Sequence, residues 1–127
     1  MAYDLLIKEQ HCEAGVPTYI LGEWVRKRQF LTLEEGVRRI TSELADFLDL
    51  TTKGRIAQGL DADLVLFDPT TVQTCPIEWV NDLPQGKPRL IERAEGVAYT
   101  IVNGEVLFAY NEYQGGLPGR IVKSVAT

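Results

Sequence analysis

Gly54-Arg55-Ile56-Ala57-Gln58-Gly59-Leu60-Asp61-Ala62-Asp63-Leu64-Val65-Leu66-Phe67-Asp68-Pro69 is the stretch where this chain changes from helical to extended periodicity. Gly54 permits a turn after the helical pattern stops. The apolar run Ala62–Phe67 then has the length of a strand and is closed by Asp68-Pro69, whose proline cannot donate to a ladder. Upstream, apolar residues recur at helical spacing. Downstream, they come in short runs punctuated by Gly, Asp and Pro. The division predicts an α+β fold in which a small β-sandwich or sheet is joined to two α-helices. A helical segment occupies residues 17–50 and a β-rich segment residues 54–127 of one domain.

Moving upstream, Thr32-Leu33-Glu34-Glu35 has the spacing of a capping box, and Val37, Ile40, Leu44 and Phe47/Leu48 continue one apolar stripe. This predicts a helix over 33–48. Pro17 suits the first position of a helix, and Ile20, Leu21, Trp24 and Val25 recur at helical spacing before the cationic turn Arg26-Lys27-Arg28, which predicts a helix over 17–28. Leu5-Leu6-Ile7, flanked by charge, predicts an N-terminal strand within residues 1–8. Downstream, Asn103-Gly104 between Ala98–Val102 and Glu105–Phe108 predicts a two-residue type I′ hairpin. Residues 70–95, with Pro76, Pro84 and Pro88 around Ile77, Trp79 and Val80, read as a long excursion without an assigned element.

The chain has 127 residues and a 45% apolar composition, enough for one core but well short of the ~250 residues of a (β/α)₈ barrel. With 13 basic against 18 acidic residues, a net charge of −5 and no basic block, nucleic acid and membrane partners are not expected. The absence of a basic leader followed by an apolar core leads to the expectation of a cytoplasmic protein. Cys12 and Cys75 lack C-x-x-C spacing, so free thiols are expected rather than a disulfide or zinc ribbon.

Chemistry-bearing candidates are sparse. His11 is the single histidine, and with Cys12 beside it a metal site would have a poor donor set. Adjacent side chains also rarely share a reaction centre, so a Cys12–His11 catalytic pair is not expected. Asp61, Asp63 and Asp68 lack the glycine and terminal glutamate of a calcium loop, and capping of turns and strand ends is expected of them. Arg38 and Arg39 read as a solvated helix face. Trp24 and Trp79 read as anchors buried in a core or interface. No nucleophile elbow, phosphate loop or dinucleotide turn occurs. No catalytic, cofactor-binding or metal residue is assigned.

Two runs, Leu33-Glu34-Glu35-Gly36-Val37-Arg38-Arg39-Ile40-Thr41-Ser42 and Gly54–Asp68, resemble the C-terminal region of the amidohydrolase superfamily, with the N-acyl-D-amino-acid deacylase (D-aminoacylase) branch nearest. Val102–Val106, Gly116–Arg120 and Ala14–Thr18 resemble further parts of that branch, and the likeness spans residues 11–123. Met1–Lys8 resembles the strand with which such enzymes begin, so the chain reads as a head joined to a tail with the catalytic barrel deleted.

The resemblance implies zinc in the family, held by His-x-His, Cys, Glu or carboxylated Lys, further His and Asp. Those ligand motifs have no counterpart here, so no cofactor is expected. The expectation is therefore a non-catalytic structural or interaction module derived from an amidohydrolase. The alternatives are part of a metal-dependent C–N hydrolase acting on N-acyl-D-amino acids, with its barrel on another chain, or a small ligand-binding domain. Loss of the barrel exposes the stripes of Ile20, Trp24, Val37, Ile40 and Leu44, which become the candidate interface of a homodimer, or of a complex with a barrel-bearing protein.

Overall fold

The computed structural model describes residues 13–123. The strand expected within residues 1–8, together with His11 and Cys12, lies outside the described residues. The helical half opens with a 3₁₀ turn, Glu13–Gly15, that continues into α1 (Val16–Tyr19) and then into a wider π-helical stretch, Ile20–Lys27. The helix thus begins earlier than Pro17, which occupies its first turn. Its wide pitch shows at the end, where Arg28 N donates to the Glu23 carbonyl five residues back at 2.9 Å.

The single helix expected over 33–48 is instead two, α2 (Leu33–Ile40) and α3 (Ser42–Phe47). Thr41 interrupts them with φ −126° and ψ −91°, and its hydroxyl donates to the Val37 carbonyl at 2.6 Å. A threonine hydroxyl that bonds back to the preceding turn competes with the helix ladder and bends it. At the other end, extended Thr32 caps α2, its Oγ1 accepting from Glu35 N at 3.2 Å. The reciprocal half of the box is absent, because the Glu35 carboxylate is taken by Arg38 and Arg39 at 3.0 Å. The two arms of the helical half meet at Gly36, where an added Cβ would stand 2.6 Å from a Val25 methyl.

The β half contains a four-stranded antiparallel sheet ordered β1 (Leu64–Phe67), β6 (Val97–Val102), β7 (Glu105–Ala109) and β8 (Glu112–Tyr113). Its hairpin turns on Asn103 and Gly104, both at positive φ (49° and 82°), as a type I′ turn requires. β1 is shorter than Ala62–Phe67 and ends as expected at Asp68, whose carboxylate accepts from Thr70 N at 2.8 Å and from its hydroxyl at 2.7 Å. The unassigned excursion contains two ribbons, β2 (Gln73–Thr74) with β5 (Ala94–Glu95), and β3 (Glu78–Leu83) with β4 (Lys87–Ile91). The architecture is the expected α+β, with a small sheet.

Helices and strands are fastened around Val72, only 1% exposed. Gly22 lies against its backbone, and Arg26 donates to the carbonyls of Thr70 (3.1 Å) and Val72 (3.0 Å). Gly96 supplies the positive φ (73°) that lets the chain pass the Val72 amide.

Candidate functional site

A cleft of about 650 Å³ lies between the β3–β4 ribbon, one face of the main sheet and the start of α1. Strand register explains its floor. Val65 pairs with Thr100, Thr100 with Phe108, and Phe108 with Tyr113, so these side chains form one row across a single face of the sheet. The ribbon supplies Val80, Arg89 and Ile91 to the opposite wall, while Ala14 and Pro17 close one end.

Polar groups around the cleft are largely spoken for. Arg89 and Asp82 form a two-pronged ion pair at 2.6 Å, which holds the Asp82 carboxyl below its usual range. Asn111 donates to the Ala94 carbonyl at 3.0 Å. Glu92 is different: its Oε2 is buried without a hydrogen-bond partner among the described residues, wedged where a Cβ on Gly15 would stand 2.2 Å away. Cys75 is half-buried, and burial pushes its thiol pKa up, away from the thiolate that nucleophilic chemistry needs. The cleft can therefore receive apolar side chains, but among the described residues it presents no nucleophile and base within mutual reach.

The aspartates act as the sequence suggests. Asp61 accepts from the Thr52 hydroxyl at 2.7 Å and pairs with Lys53 at 3.0 Å. Asp63 pairs with Lys53 and accepts from Asn103 N at 2.8 Å, which ties the strand start to the hairpin turn. Both carboxyls lie below their usual range, Asp61 first through Thr52 and Asp63 first through Lys53. Among the described residues no three His, Cys, Asp or Glu side chains converge, and none of those residues is a histidine. This donor set does not fit the metal centre that the family resemblance implies.

Arg38 and Arg39 are exposed and ion-paired with Glu35, as a solvated face should be. Trp24 is not fully buried. Its ring is exposed on one side, packs on Phe30 at 5.7 Å and sits 6.0 Å from the Arg28 guanidinium. Trp79, on β3, is 57% exposed rather than buried. Of the stripe considered for an interface, Trp24 and Leu44 are exposed while Ile20, Val37 and Ile40 are half-buried. The cleft wall from the β3–β4 ribbon was missed in the sequence, although Leu83-Pro84-Gln85-Gly86-Lys87 carries a hairpin signal of its own, a Pro and a Gly between extended runs. No helix among the described residues is long and apolar enough to cross a membrane.

The profile of the amidohydrolase family matches residues 8–108. An N-acyl-D-glutamate deacylase from Alcaligenes xylosoxydans xylosoxydans is 33% identical over 113 residues, covering 89% of this chain and 21% of that protein. A crystal structure of D-aminoacylase superposes with TM-score 0.69 and 27% identity, covering 86% of this chain and 21% of that one. A further D-aminoacylase structure, described for the role of its binuclear metal centre, superposes with the same TM-score at 28% identity and the same coverage of both chains. The chain thus spans about a fifth of the length of these proteins.

Proposed function

The chain belongs to the amidohydrolase family, and from that premise we propose that it is a non-catalytic assembly module, whose work is to cover and be covered by other protein surface. One observation carries this reading: among the described residues, strand β1 of the main sheet is apolar and exposed on both of its faces. Val65 on the cleft face is 56% exposed, and its neighbour Leu66 on the opposite face is 47% exposed. A sheet normally buries at least one apolar face, and apolar area left in water forgoes about 25 cal/mol per Å².

A second reading is favoured by the match to the N-acyl-D-glutamate deacylase. In it, this module completes a C–N hydrolase whose metal-bearing barrel is supplied by another chain, and N-acyl-D-amino acids are the substrates of the assembly.

One experiment separates the two. The purified chain is analysed for bound zinc and assayed on N-acetyl-D-glutamate with and without added zinc. The module reading expects neither stoichiometric zinc nor hydrolysis. Zinc bound tightly and lost in His11→Ala, or hydrolysis by the chain alone, overturns it. Activity that appears only on adding a barrel-bearing family member supports the second reading instead.

A further inference from the structure

Asn103 and Gly104 form the turn between β6 and β7, with Asn103 half-buried and Gly104 exposed to water. An asparagine followed by glycine can react with its own backbone. The Gly104 nitrogen, once a solvent base has taken its proton, can bond to the side-chain carbonyl carbon Cγ of Asn103, because glycine has no Cβ to block the approach. The Cγ–Nδ2 bond then breaks, and Nδ2 takes up a proton and leaves as ammonia. One water opens the cyclic imide at either of its carbonyls, which leaves aspartate or isoaspartate. Nothing is oxidised or reduced.

Both reacting groups are engaged in the folded chain. Gly104 N donates to the Ala62 carbonyl at 2.9 Å, so removing its proton costs that bond. Asn103 Nδ2 donates to the Pro118 carbonyl at 2.6 Å, which tethers the leaving amide to the closing segment 114–120. That segment is fastened in turn by Gln114 N, which donates to the Leu107 carbonyl at 2.9 Å, and by the Tyr113 hydroxyl, which donates to the Gly116 carbonyl at 2.6 Å. The product reverses the contact, because a carboxylate has acceptors only and offers the Pro118 carbonyl no proton. It also adds negative charge to a turn whose Asn103 N already donates to Asp63 at 2.8 Å, while Asp61 and Asp63 share the single cation Lys53. Isoaspartate in addition lengthens the backbone of a tight hairpin turn. We propose that Asn103 is a spontaneous modification site guarded by the closing segment, and that its conversion to aspartate or isoaspartate releases that segment. The inference is independent of whether the chain works as a module or within a hydrolase.

The test incubates the full chain in mildly alkaline buffer, with and without urea. Peptide mapping by mass spectrometry follows the replacement of NH₂ by OH at each asparagine, and enzymatic methylation scores isoaspartate. Asn103 should react roughly tenfold or more slowly in the folded chain than in urea, while Asn81 and Asn111, followed by Asp82 and Glu112, stay intact. Tyr113→Phe keeps the ring against Phe108 but frees the Gly116 carbonyl. It should speed the folded reaction about fivefold, the worth of one hydrogen bond. The deamidated parent, separated by its added charge, and Asn103→Asp should both be cleaved within 114–120 about fivefold faster than the parent in limited proteolysis. Equal rates in buffer and urea overturn the proposal, as does a Tyr113→Phe chain that reacts at the parent rate. Cleavage of the deamidated parent at the parent rate, or more slowly through a new ion pair with Arg120, overturns the release.

Discussion

Gly22 and Val72 meet so closely that a Cβ on Gly22 would stand 2.8 Å from the Val72 carbonyl oxygen. The neighbour is backbone rather than a pliable side chain, and Val72 is itself tied down by Arg26. Gly22→Ala should therefore push the first helix off the β half and cost about 1–3 kcal/mol, as overpacking does. Gly119→Ala, with nothing within 4 Å of its Cβ, should stay within about 0.5 kcal/mol of the parent. Urea unfolding of the two variants checks the contrast, and equal midpoints would show that the contact does not fasten the halves.

Arg26 bridges the same seam through three hydrogen bonds, to the carbonyls of Thr70 and Val72 and to Gln73 Oε1. Lysine keeps the charge but not the planar fork that reaches two carbonyls together. Arg26→Lys should thus be destabilised nearly as much as Arg26→Ala, each by about 1–3 kcal/mol in thermal unfolding. Full rescue by lysine would mean that charge alone matters at this position.

The Lys53 cluster sets the response to pH. Lys53 holds the Asp63 carboxyl low, and Thr52 and then Lys53 lower Asp61. Groups with depressed folded pKa values stabilise above their ordinary value near 4 and lose that contribution as pH falls below it. Asp63 in turn raises the Lys53 pKa, and that contribution is present at neutral pH and lost as pH rises beyond the ordinary lysine range near 10.4. Urea midpoints should fall at both extremes. Lys53→Met should flatten both limbs, and retention of the alkaline limb in that variant would remove Lys53 as its cause.

Asn103 has two separable duties. Its backbone sits at φ 49°, and its side chain donates to the Pro118 carbonyl at 2.6 Å. Asn103→Gly should keep the hairpin but release the segment 114–120, seen as faster limited proteolysis there with little change in the thermal midpoint. Asn103→Val should lose the turn as well, because a β-branched residue resists left-handed backbone. Proteolysis at the parent rate in Asn103→Gly would show that Pro118 is held by something else.

Local chemistry carried much of this protein in its sequence. Thr32 and Glu35 marked the start of α2, Asp68-Pro69 closed β1, and Asn103-Gly104 fixed the hairpin, each because the deciding interactions lie within a few residues. The runs Leu33–Ser42 and Gly54–Asp68 pointed to the family for the same reason. What they could not carry depends on residues far apart. The apolar stripe through Ile40 and Leu44 gave no sign that the Thr41 hydroxyl would turn back and divide the helix. Pro76, Pro84 and Pro88 masked the two ribbons, because proline rules read ladder donors one strand at a time and not the partner strand. Gly22 looked like any tolerated helix glycine until Val72, fifty residues away, was packed on it. The cleft belongs to the same class. A strand's apolar residues are written in its sequence, but whether another strand lies beside them is settled only when the whole sheet is assembled.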